Sequence, residues 1–361
     1  MRVFHSLDEI RSPFPEAIEE PAEPTVVEGP KKARGTDRIV AEDPRIGSVI
    51  AGRYRILSRI AVGGMGIVYK GLRLGLARPV AIKFLRSHAM HDESAVARFR
   101  IEAKAASKLS HPNCVAVTDG GLEDGEPFIV MDFIEGQTLR EVMNAGPLAV
   151  PRALSIVSQV LAGLAHAHHR GVIHRDIKPD NIFVWNDAGY ERATIGDFGL
   201  AKCADVLGIS QDVLVGTPNY MAPEQTTGAP VDARADVYAV GILLFELLTT
   251  RKPFSAKNIF DTMKQHREAR VPAFDEVAPD RVVPPGVEGV VRAALMKNPA
   301  MRPPSAAALA ALLADAMTEA KAESDVEVKT LLRATSSRWR LRAMLLAMLA
   351  GSVGLAAATY L

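Results

Sequence analysis

The sequence predicts an α+β protein with two lobes, a small β-rich N-terminal lobe that contains one helix and a larger helical C-terminal lobe. Two observations lead to this prediction. Short β-branched and apolar runs between glycine turns fill the first part of the chain, whereas long runs with apolar residues at helical spacing fill the second. A third observation, an uncharged run at the C-terminus, adds one transmembrane helix to the prediction.

The individual elements follow from periodicity and composition. Four strands are predicted in the first lobe, over residues 53–60, 67–72, 78–84 and 126–133. Five helices are predicted from apolar residues at helical spacing, over residues 93–109, 154–169, 232–249, 286–296 and 305–321. The 361 residues therefore suit one large domain over residues 54–316, with its lobes at 54–131 and 135–316.

The composition limits the classes of partner and compartment. Residues 1–50 are rich in Pro, Glu and other polar residues, so this segment is predicted to be disordered, because it cannot offset its ordering entropy by burial. The formal net charge of +1 gives no reason to expect a nucleic-acid partner. The two cysteines, Cys114 and Cys203, have no metal-type spacing, which predicts a reducing compartment and no disulfide framework. The N-terminus has no signal-peptide pattern.

The C-terminal end has the pattern of a membrane anchor. Residues 343–361 form a run of 19 without one charge, close to the roughly 20 residues that span a bilayer. Residues 317–342 form a basic linker whose arginines predict a cytoplasmic side for the preceding domain, in a single-pass protein of the cell membrane. A buried alanine-rich helix of the domain is the alternative. Since only Leu361 follows Tyr360, no extracytoplasmic sensor is expected.

Small residues recur at four-residue spacing in this apolar run, at Ala347, Ala350, Gly351 and Gly354. Such spacing lets membrane helices pack closely, which leaves a homodimer open. Chance explains the spacing better in a segment so rich in alanine.

Glycines lie between the first two predicted strands. The run contains Ile60, Ala61, Val62, Gly63, Gly64, Met65, Gly66 and, after one residue, Val68. Glycine lets a backbone approach a polyphosphate without Cβ clashes and points N–H groups toward it. Tight hairpins share this composition, so alone the run indicates a nucleotide site only weakly.

Lys83 ends an apolar strand run, where a charge is unusual unless it is used or reaches solvent. An ammonium at this position can hold the α- and β-phosphates of a nucleotide if a carboxylate orients it. Glu102 on the following predicted helix is the natural partner. The alternative is an exposed ion pair on a helix surface, which contributes little to stability.

Carboxylates and an amide follow two apolar stretches, in the runs His174-Arg175-Asp176-Ile177-Lys178-Pro179-Asp180-Asn181 and Ile195-Gly196-Asp197-Phe198-Gly199. Phosphoryl transfer needs a carboxylate that orients the attacking hydroxyl and accepts its proton, and Asp176 fits that role. It also needs Mg²⁺, which prefers oxygen ligands, and Asn181 and Asp197 can supply them. Each run alone could be a turn, but a chance match to the whole pattern is very improbable.

Together these motifs resemble the signature set of the protein kinases, over roughly residues 54–316. The resemblance is closest to bacterial serine/threonine kinases of the eukaryotic type. It implies the two-lobed kinase fold, ATP and Mg²⁺ as cofactors, and transfer of the γ-phosphoryl group to serine or threonine of protein substrates. Glu224 resembles the glutamate that closes the activation segment, Arg302 its arginine partner, and Asp236 the buried aspartate of the helical lobe.

The resemblance also assigns the adenine pocket and the acceptor class. The pocket residues are Val68 and Ala81 as roof, Phe183 as floor, Met131 at the back, and the backbone of Asp132 and Ile134 as hydrogen-bonding groups. Lys178 resembles the lysine with which serine/threonine kinases contact the γ-phosphate. Thr217 resembles the threonine that touches the catalytic aspartate in the same class.

Regulation is predicted from Arg175, because kinases with an arginine before the catalytic aspartate often need a phosphate in the activation loop. Ser210 is the only hydroxyl between Gly199 and Gly216, so it is the predicted autophosphorylation site. An unmodified serine in a constitutively ordered loop is an equal alternative. Ala61 stands where the family has glycine, which predicts a stiffer loop and a higher Michaelis constant for the nucleotide.

Two other classes are less compatible with the sequence. A pseudokinase, which keeps the fold for recognition alone, would lack at least one of Lys83, Asp176, Asn181 and Asp197, and all are present. A small-molecule kinase of related fold would generally lack the Ala-Pro-Glu run and its arginine partner, which are also present.

Overall fold

The structure is a computed structural model that describes residues 43–63, 66–85, 93–198 and 218–322. Within these ranges the chain forms a six-stranded sheet with one helix, followed by a three-stranded sheet and a group of helices. This arrangement confirms the predicted α+β architecture of a β-rich lobe and a helical lobe.

The N-terminal lobe is an antiparallel sheet of order β1-β2-β3-β4-β6-β5. Its strands are β1 (Val49–Ile50), β2 (Tyr54–Val62), β3 (Gly66–Arg73), β4 (Arg78–Leu85), β5 (Val117–Glu123) and β6 (Glu126–Asp132), and its helix is α1 (Glu93–Ala106). Side chains alternate between the two faces of β4. Val80, Ile82 and Phe84 pack into one apolar cluster, and Ala81 and Leu85 into another with Phe99 of α1. Lys83 therefore shares the face of Ala81 and Leu85.

Residues 43–50 are folded, which corrects the predicted disordered segment of residues 1–50 at its C-terminal end. The Arg45 guanidinium forms an ion pair with Glu126 and stacks 4.6 Å from the centroid of the Phe84 ring. Ile50 is 5% exposed and pairs with Tyr54. The average composition of residues 1–50 is rich in Pro and charged residues and does not reveal these few contacts. The folded domain therefore begins earlier in the chain than the composition predicts.

The C-terminal lobe is built around two buried helices. Its elements are β7 (Gln137–Thr138), α2 (Leu139–Asn144), α3 (Val150–His169), β8 (Ile182–Asp187), β9 (Tyr190–Ile195), α4 (Arg234–Thr249), α5 (Ile259–Glu268), α6 (Phe274–Val277), α7 (Pro285–Ala294) and a last helix, α8, over residues 306–322. Helix α4 is mostly apolar and is buried along almost its whole length, as expected of a central helix. At Gly241 a Cβ would lie 2.9 Å from Ala294 Cβ, so glycine permits the close contact of α4 with α7.

The two lobes are joined by backbone hydrogen bonds next to the predicted site. The Val115 N–H donates to the Ile195 carbonyl at 2.8 Å, and the Ile195 N–H donates to the Asn113 carbonyl at 2.9 Å. The Asn113 side chain also donates to the Ala193 carbonyl at 2.7 Å. The end of β9 is therefore fixed against the segment that leads from α1 to β5. Asp197 follows this junction by two residues.

Across the described residues, no helix is both long enough and apolar enough to cross a bilayer. The predicted membrane segment, residues 343–361, lies outside the described ranges, as do most of the predicted basic linker and residues 1–42 of the predicted disordered segment.

Candidate active site

The predicted catalytic residues lie together in one tight loop between α3 and β8. The Asp176 carboxylate accepts hydrogen bonds from Lys178 Nζ at 2.8 Å and from Asn181 Nδ2 at 3.1 Å. Asn181 Nδ2 also donates to the Asp176 carbonyl at 2.8 Å, because the 3₁₀ turn Pro179–Asn181 carries the amide back toward that residue. The Asp176 side chain is 26% exposed, so the carboxylate is both held and accessible.

Asp236, in the first turn of α4, fixes this loop from behind. Its fully buried carboxylate accepts hydrogen bonds from the backbone N–H of His174 at 2.8 Å and of Arg175 at 2.7 Å. Arg175 has φ of 65°, a left-handed conformation that an L-residue adopts only when its surroundings impose it. Asp236 supplies that constraint and so sets the direction in which the chain enters Asp176.

His168 and Gln225 support the same loop and were not predicted from the sequence. His168 Nε2 lies 2.8 Å from the Asp236 carboxylate, and Gln225 Nε2 donates to the Arg175 carbonyl at 3.0 Å. A histidine near the end of a helix and a glutamine beside Glu224 have many surface roles. Only the fold, which places both side chains against the loop, shows their role.

Lys83 and Asp197 form an ion pair between the lobes. Lys83 Nζ lies 2.8 Å from Asp197 Oδ1, with 11% of the lysine side chain and 44% of the aspartate side chain exposed. Desolvation alone would raise the pKa of the Asp197 carboxyl. The charge and hydrogen bond of Lys83 outweigh desolvation and hold that pKa below its usual range. Asp197 is therefore an anion that faces the cleft.

The turn between β2 and β3 contains the predicted glycine-rich run. Gly63 N–H donates to the Gly66 carbonyl at 2.9 Å, and a Cβ on Gly66 would lie 2.5 Å from the Phe84 carbonyl, so a side chain there would displace β4. Ala61 pairs with Val68 in the antiparallel ladder, where an alanine fits. The flanking side chains of Ile60 and Val62 are about half exposed.

An apolar cluster brings the predicted adenine-binding residues together. Val68, Ala81, Met131, Ile134 and Phe183 belong to one apolar cluster that joins the N-terminal sheet to β8.

The backbone beside Met131 offers hydrogen-bonding groups next to this apolar cluster. Asp132 N–H donates to the Ala116 carbonyl at 3.0 Å, which leaves the Asp132 carbonyl as the group it could offer. None of the described residues accepts a hydrogen bond from Ile134 N–H. An apolar slot with a few backbone polar groups suits a planar heterocycle.

The donor set of the cleft fits Mg²⁺ and a polyphosphate. Asn181 uses its amide nitrogen on Asp176 and Asp197 uses Oδ1 on Lys83, and no described donor contacts Asn181 Oδ1 or Asp197 Oδ2. Hard oxygen ligands of this kind suit Mg²⁺, which commonly takes its remaining ligands from phosphate and water. The described residues contain no group of three or more His, Cys, Asp or Glu side chains suited to a metal.

Glu224 and Arg302 form a buried bidentate ion pair behind the active-site segment. Arg302 Nη1 and Nη2 donate to the two Glu224 carboxylate oxygens at 2.7 and 2.8 Å. The remaining Arg302 donors are taken by the carbonyls of Met296, Lys297 and Arg234. The pair joins the end of the segment after residue 217 to the loop before α8, which is the arrangement that the sequence predicted for these two residues.

Five predicted site features lie outside the described part of the chain. These are Gly64, Met65, Ser210, Thr217 and the side chain of Glu102. Their predicted contacts, including the pairing of Glu102 with Lys83, therefore stay predictions.

Comparison with known proteins identifies the family of this arrangement. A model of the protein kinase domain matches residues 54–313. The chain belongs to the protein kinase family. It is 41% identical over 281 residues to the serine/threonine-protein kinase pkn3 of Myxococcus xanthus, covering 75% of this chain and 51% of pkn3. It is 40% identical to the serine/threonine-protein kinase PknL of Mycobacterium tuberculosis, covering 74% of this chain and 67% of PknL.

The solved structures agree with the sequence comparisons. The crystal structure of the PknI kinase domain of Mycobacterium tuberculosis is 29% identical, with a TM-score of 0.60, covering 75% of this chain and 98% of that domain. The predicted family, bacterial serine/threonine kinases of the eukaryotic type, is confirmed. The kinase chain spans about half the length of pkn3.

Proposed function

We propose that this chain transfers the γ-phosphoryl group of ATP, with Mg²⁺, to serine or threonine side chains of proteins. The observation that carries the proposal is the loop in which Asp176 is held by Lys178 and Asn181. The Lys83–Asp197 pair faces the same cleft with a cation and an anion. The relatives pkn3 and PknL carry the name serine/threonine-protein kinase, which supports this assignment.

Asp176 does the proton chemistry in this proposal. Its carboxylate accepts a hydrogen bond from the acceptor hydroxyl and takes the proton as the oxygen attacks the γ-phosphorus, while the bond from that phosphorus to the bridging oxygen breaks and ADP leaves. Lys178, 2.8 Å from that carboxylate, keeps it oriented and places a positive charge beside the transferred group. Lys83 holds the phosphates that stay on the nucleotide, and Asn181 and Asp197 are the metal ligands. When bound, Mg²⁺ screens the negative charge of the phosphate oxygens.

The experiment that tests the mechanism is Asp176→Asn. An asparagine can still accept hydrogen bonds from Lys178 and Asn181 through its oxygen, so the loop keeps its shape while the proton acceptor is lost. We expect kcat with labelled ATP and a protein substrate to fall about 10²–10⁴-fold. Nucleotide affinity should change little.

Asp187→Asn is the matched control, because Asp187 is the last residue of β8, pairs with Arg192 and is 47% exposed. Full activity in Asp176→Asn would overturn the catalytic assignment. Peptides that differ only in having Ser, Thr or Tyr as acceptor test the acceptor class in the same assay, and tyrosine should be the poorest.

We propose further that residues 343–361 anchor the kinase to the cell membrane, with the domain on the cytoplasmic side. The support is the uncharged run of 19 residues and the arginines that precede it. The full chain should pellet with membranes and resist extraction at high salt and alkaline pH, whereas residues 1–342 should remain in the supernatant. Recovery of the full chain in the supernatant would contradict the anchor, and cross-linking of the membrane fraction tests for a homodimer.

We propose Ser210 as the site of autophosphorylation, because it is the only hydroxyl between Gly199 and Gly216 and because an arginine, Arg175, precedes Asp176 in the sequence. Mass spectrometry after incubation with ATP should find phosphate on Ser210 in the active chain and none in Asp176→Asn. Ser210→Ala should lower activity toward protein substrates. An active chain with unmodified Ser210 would exclude this site.

A further inference from the structure

Arg140 on α2 contacts a cluster of polar side chains beside the catalytic loop. Its Nη1 donates to Glu246 Oε1 at 3.0 Å, and its Nη2 donates to the Tyr220 hydroxyl at 2.6 Å. The Tyr220 hydroxyl donates in turn to the other Glu246 oxygen. Arg140 Nε lies 3.8 Å from Asp180 Oδ2. One guanidinium is therefore shared by two carboxylates and a phenol from three separate segments.

The burial of these side chains shows that the Glu246 carboxylate depends on the charge of Arg140. The Glu246 side chain is 6% exposed in the interior of α4, that of Arg140 is 25% exposed, and that of Asp180 is 53% exposed. A carboxylate as buried as Glu246 is costly unless a cation or several donors compensate it. Another cation, Lys252, lies over the face of the Tyr220 ring, with its Nζ 5.6 Å from the ring centroid. Arg140 supplies the direct charge compensation.

The cluster lies beside the loop that contains Asp176. Asp180 is in the same 3₁₀ turn as Asn181, whose amide contacts Asp176, and Tyr220 is in the 3₁₀ turn Pro218–Tyr220 that follows the segment ending at residue 217. An extended peptide advances about 3.3 Å per residue. Side chains two or three positions from an acceptor at Asp176 therefore extend about 7–10 Å along the surface, and the exposed Asp180 is next to Asn181, which contacts Asp176.

We propose that Arg140 is a specificity-determining residue, whose guanidinium occupies from within the chain a carboxylate pocket that would otherwise select a basic residue in the substrate. The pocket is formed by Glu246 and Asp180. With Arg140 in place its net charge is reduced, so the kinase recognises acceptor sequences without a requirement for arginine near the acceptor. This inference rests on the proposed role of Asp176, because that role places the acceptor.

A purely structural role for Arg140 makes a different prediction. If the residue only ties α2 to α4, its loss lowers transfer to all substrates in the same proportion. If it compensates a substrate subsite, its loss raises the preference for arginine at one flanking position. The ratio of kcat/KM between peptides that differ in one residue separates the two roles.

The test uses the full chain and an acceptor peptide in which arginine, alanine or glutamate is placed at each flanking position in turn. For wild type we expect an arginine-to-alanine ratio near one at every position. Arg140→Met should raise this ratio about tenfold at one position, since a charge-assisted pair becomes available to the substrate. In Arg140→Met/Glu246→Gln the gain should disappear, because the buried carboxylate is removed.

Arg152→Met is the matched control, since Arg152 pairs with Glu191 at 2.7 Å on the exposed face of α3. It should leave every ratio unchanged. Glu246→Gln alone provides a second route if Arg140→Met does not fold: it frees Arg140, so the preference for glutamate should rise several-fold at the same position.

Unchanged ratios in folded Arg140→Met, or in Glu246→Gln where the first variant does not fold, would overturn the inference. A wild-type chain that transfers no phosphate to any peptide would instead refute the proposed kinase function, so the two failures are distinguishable.

Discussion

Lys83 Nζ and Asp197 Oδ1 lie 2.8 Å apart, so the strand that carries the lysine and the segment that follows β9 meet as opposite charges across the cleft. The lysine side chain is 11% exposed, and its charge lowers the pKa of the Asp197 carboxyl. The ion pair fixes the positions of two groups that the proposed mechanism uses, the lysine for the phosphates and the aspartate for the metal ion.

Lys83→Met is expected to lower kcat/KM about 100-fold or more, because a positioned cation on the phosphates is lost. The chain should still fold, since the methionine stem matches the lysine stem among Ala81, Leu85 and Gly66. Initial rates with ATP and a protein substrate measure the effect. Lys264→Met on the exposed face of α5 is the control, and equal rates in both variants would contradict the role of Lys83.

Gly66 has much less space for a side chain than Gly63, so alanine substitutions at the two positions should have different effects. Gly66→Ala would place its Cβ 2.5 Å from the Phe84 carbonyl, whereas at Gly63 the nearest such atom, the Gly66 carbonyl oxygen, is 3.8 Å away. We expect Gly66→Ala to raise the Michaelis constant for ATP and to lower the melting temperature, and Gly63→Ala to leave the melting temperature nearly unchanged. Thermal denaturation with and without nucleotide measures both, and equal effects would show that steric contact with β4 does not matter.

The Glu224–Arg302 pair predicts a strong dependence of stability on both partners. Arg302 is fully buried and Glu224 is 7% exposed at the side chain. Arg302→Met leaves a buried carboxylate without its cation, so we expect a loss of about 3–5 kcal/mol in the free energy of unfolding.

The double variant Glu224→Gln/Arg302→Met should lose less than the single one, because neither charge remains buried. Urea denaturation gives the comparison. Arg270→Met, which removes an exposed pair with Glu276, should cause little change. A double variant less stable than Arg302→Met would mean that the hydrogen bonds, and not the charges, hold this segment.

The residues that do chemistry could be predicted from sequence because each lies in a short run whose residue types and spacing are restricted by that chemistry. Asp176, Lys178 and Asn181 are within six consecutive positions, and a tight loop brings them together whatever surrounds it. The long apolar helices were equally clear, and the core helix predicted at residues 232–249 is α4, Arg234–Thr249.

Elements with few buried apolar residues could not be predicted. Strand β5 contains Gly120 and Gly121 and is mostly exposed, and α5 buries Thr262 and His266, which are not apolar. The contacts of Arg140 were also invisible, because Asp180, Tyr220 and Glu246 are separated from it by 40 to 106 positions and only the fold joins them.

His266 predicts a pH dependence of stability in the helical lobe. It is fully buried, with Nδ1 3.0 Å from the Tyr238 hydroxyl and with Lys297 donating to its carbonyl at 2.8 Å. Burial first, and then the charge of Lys297, lower the pKa of its imidazole from 6.5 to about 3. The folded state therefore keeps this histidine neutral while the unfolded state takes up a proton below pH 6.5. The stabilisation is complete above that pH and is lost as the pH falls toward about 3.

His266→Asn removes this proton uptake while its side-chain oxygen can still accept from Tyr238. We expect the variant to be less stable than wild type near neutral pH, and the gap to narrow by about 2 kcal/mol between about pH 7 and about pH 5, at about 1.4 kcal/mol per pKa unit. Urea denaturation at both pH values measures the gap, with His169→Asn on the exposed end of α3 as the control. A gap that stays constant would show that His266 titrates alike in both states, and so that its burial does not keep it neutral.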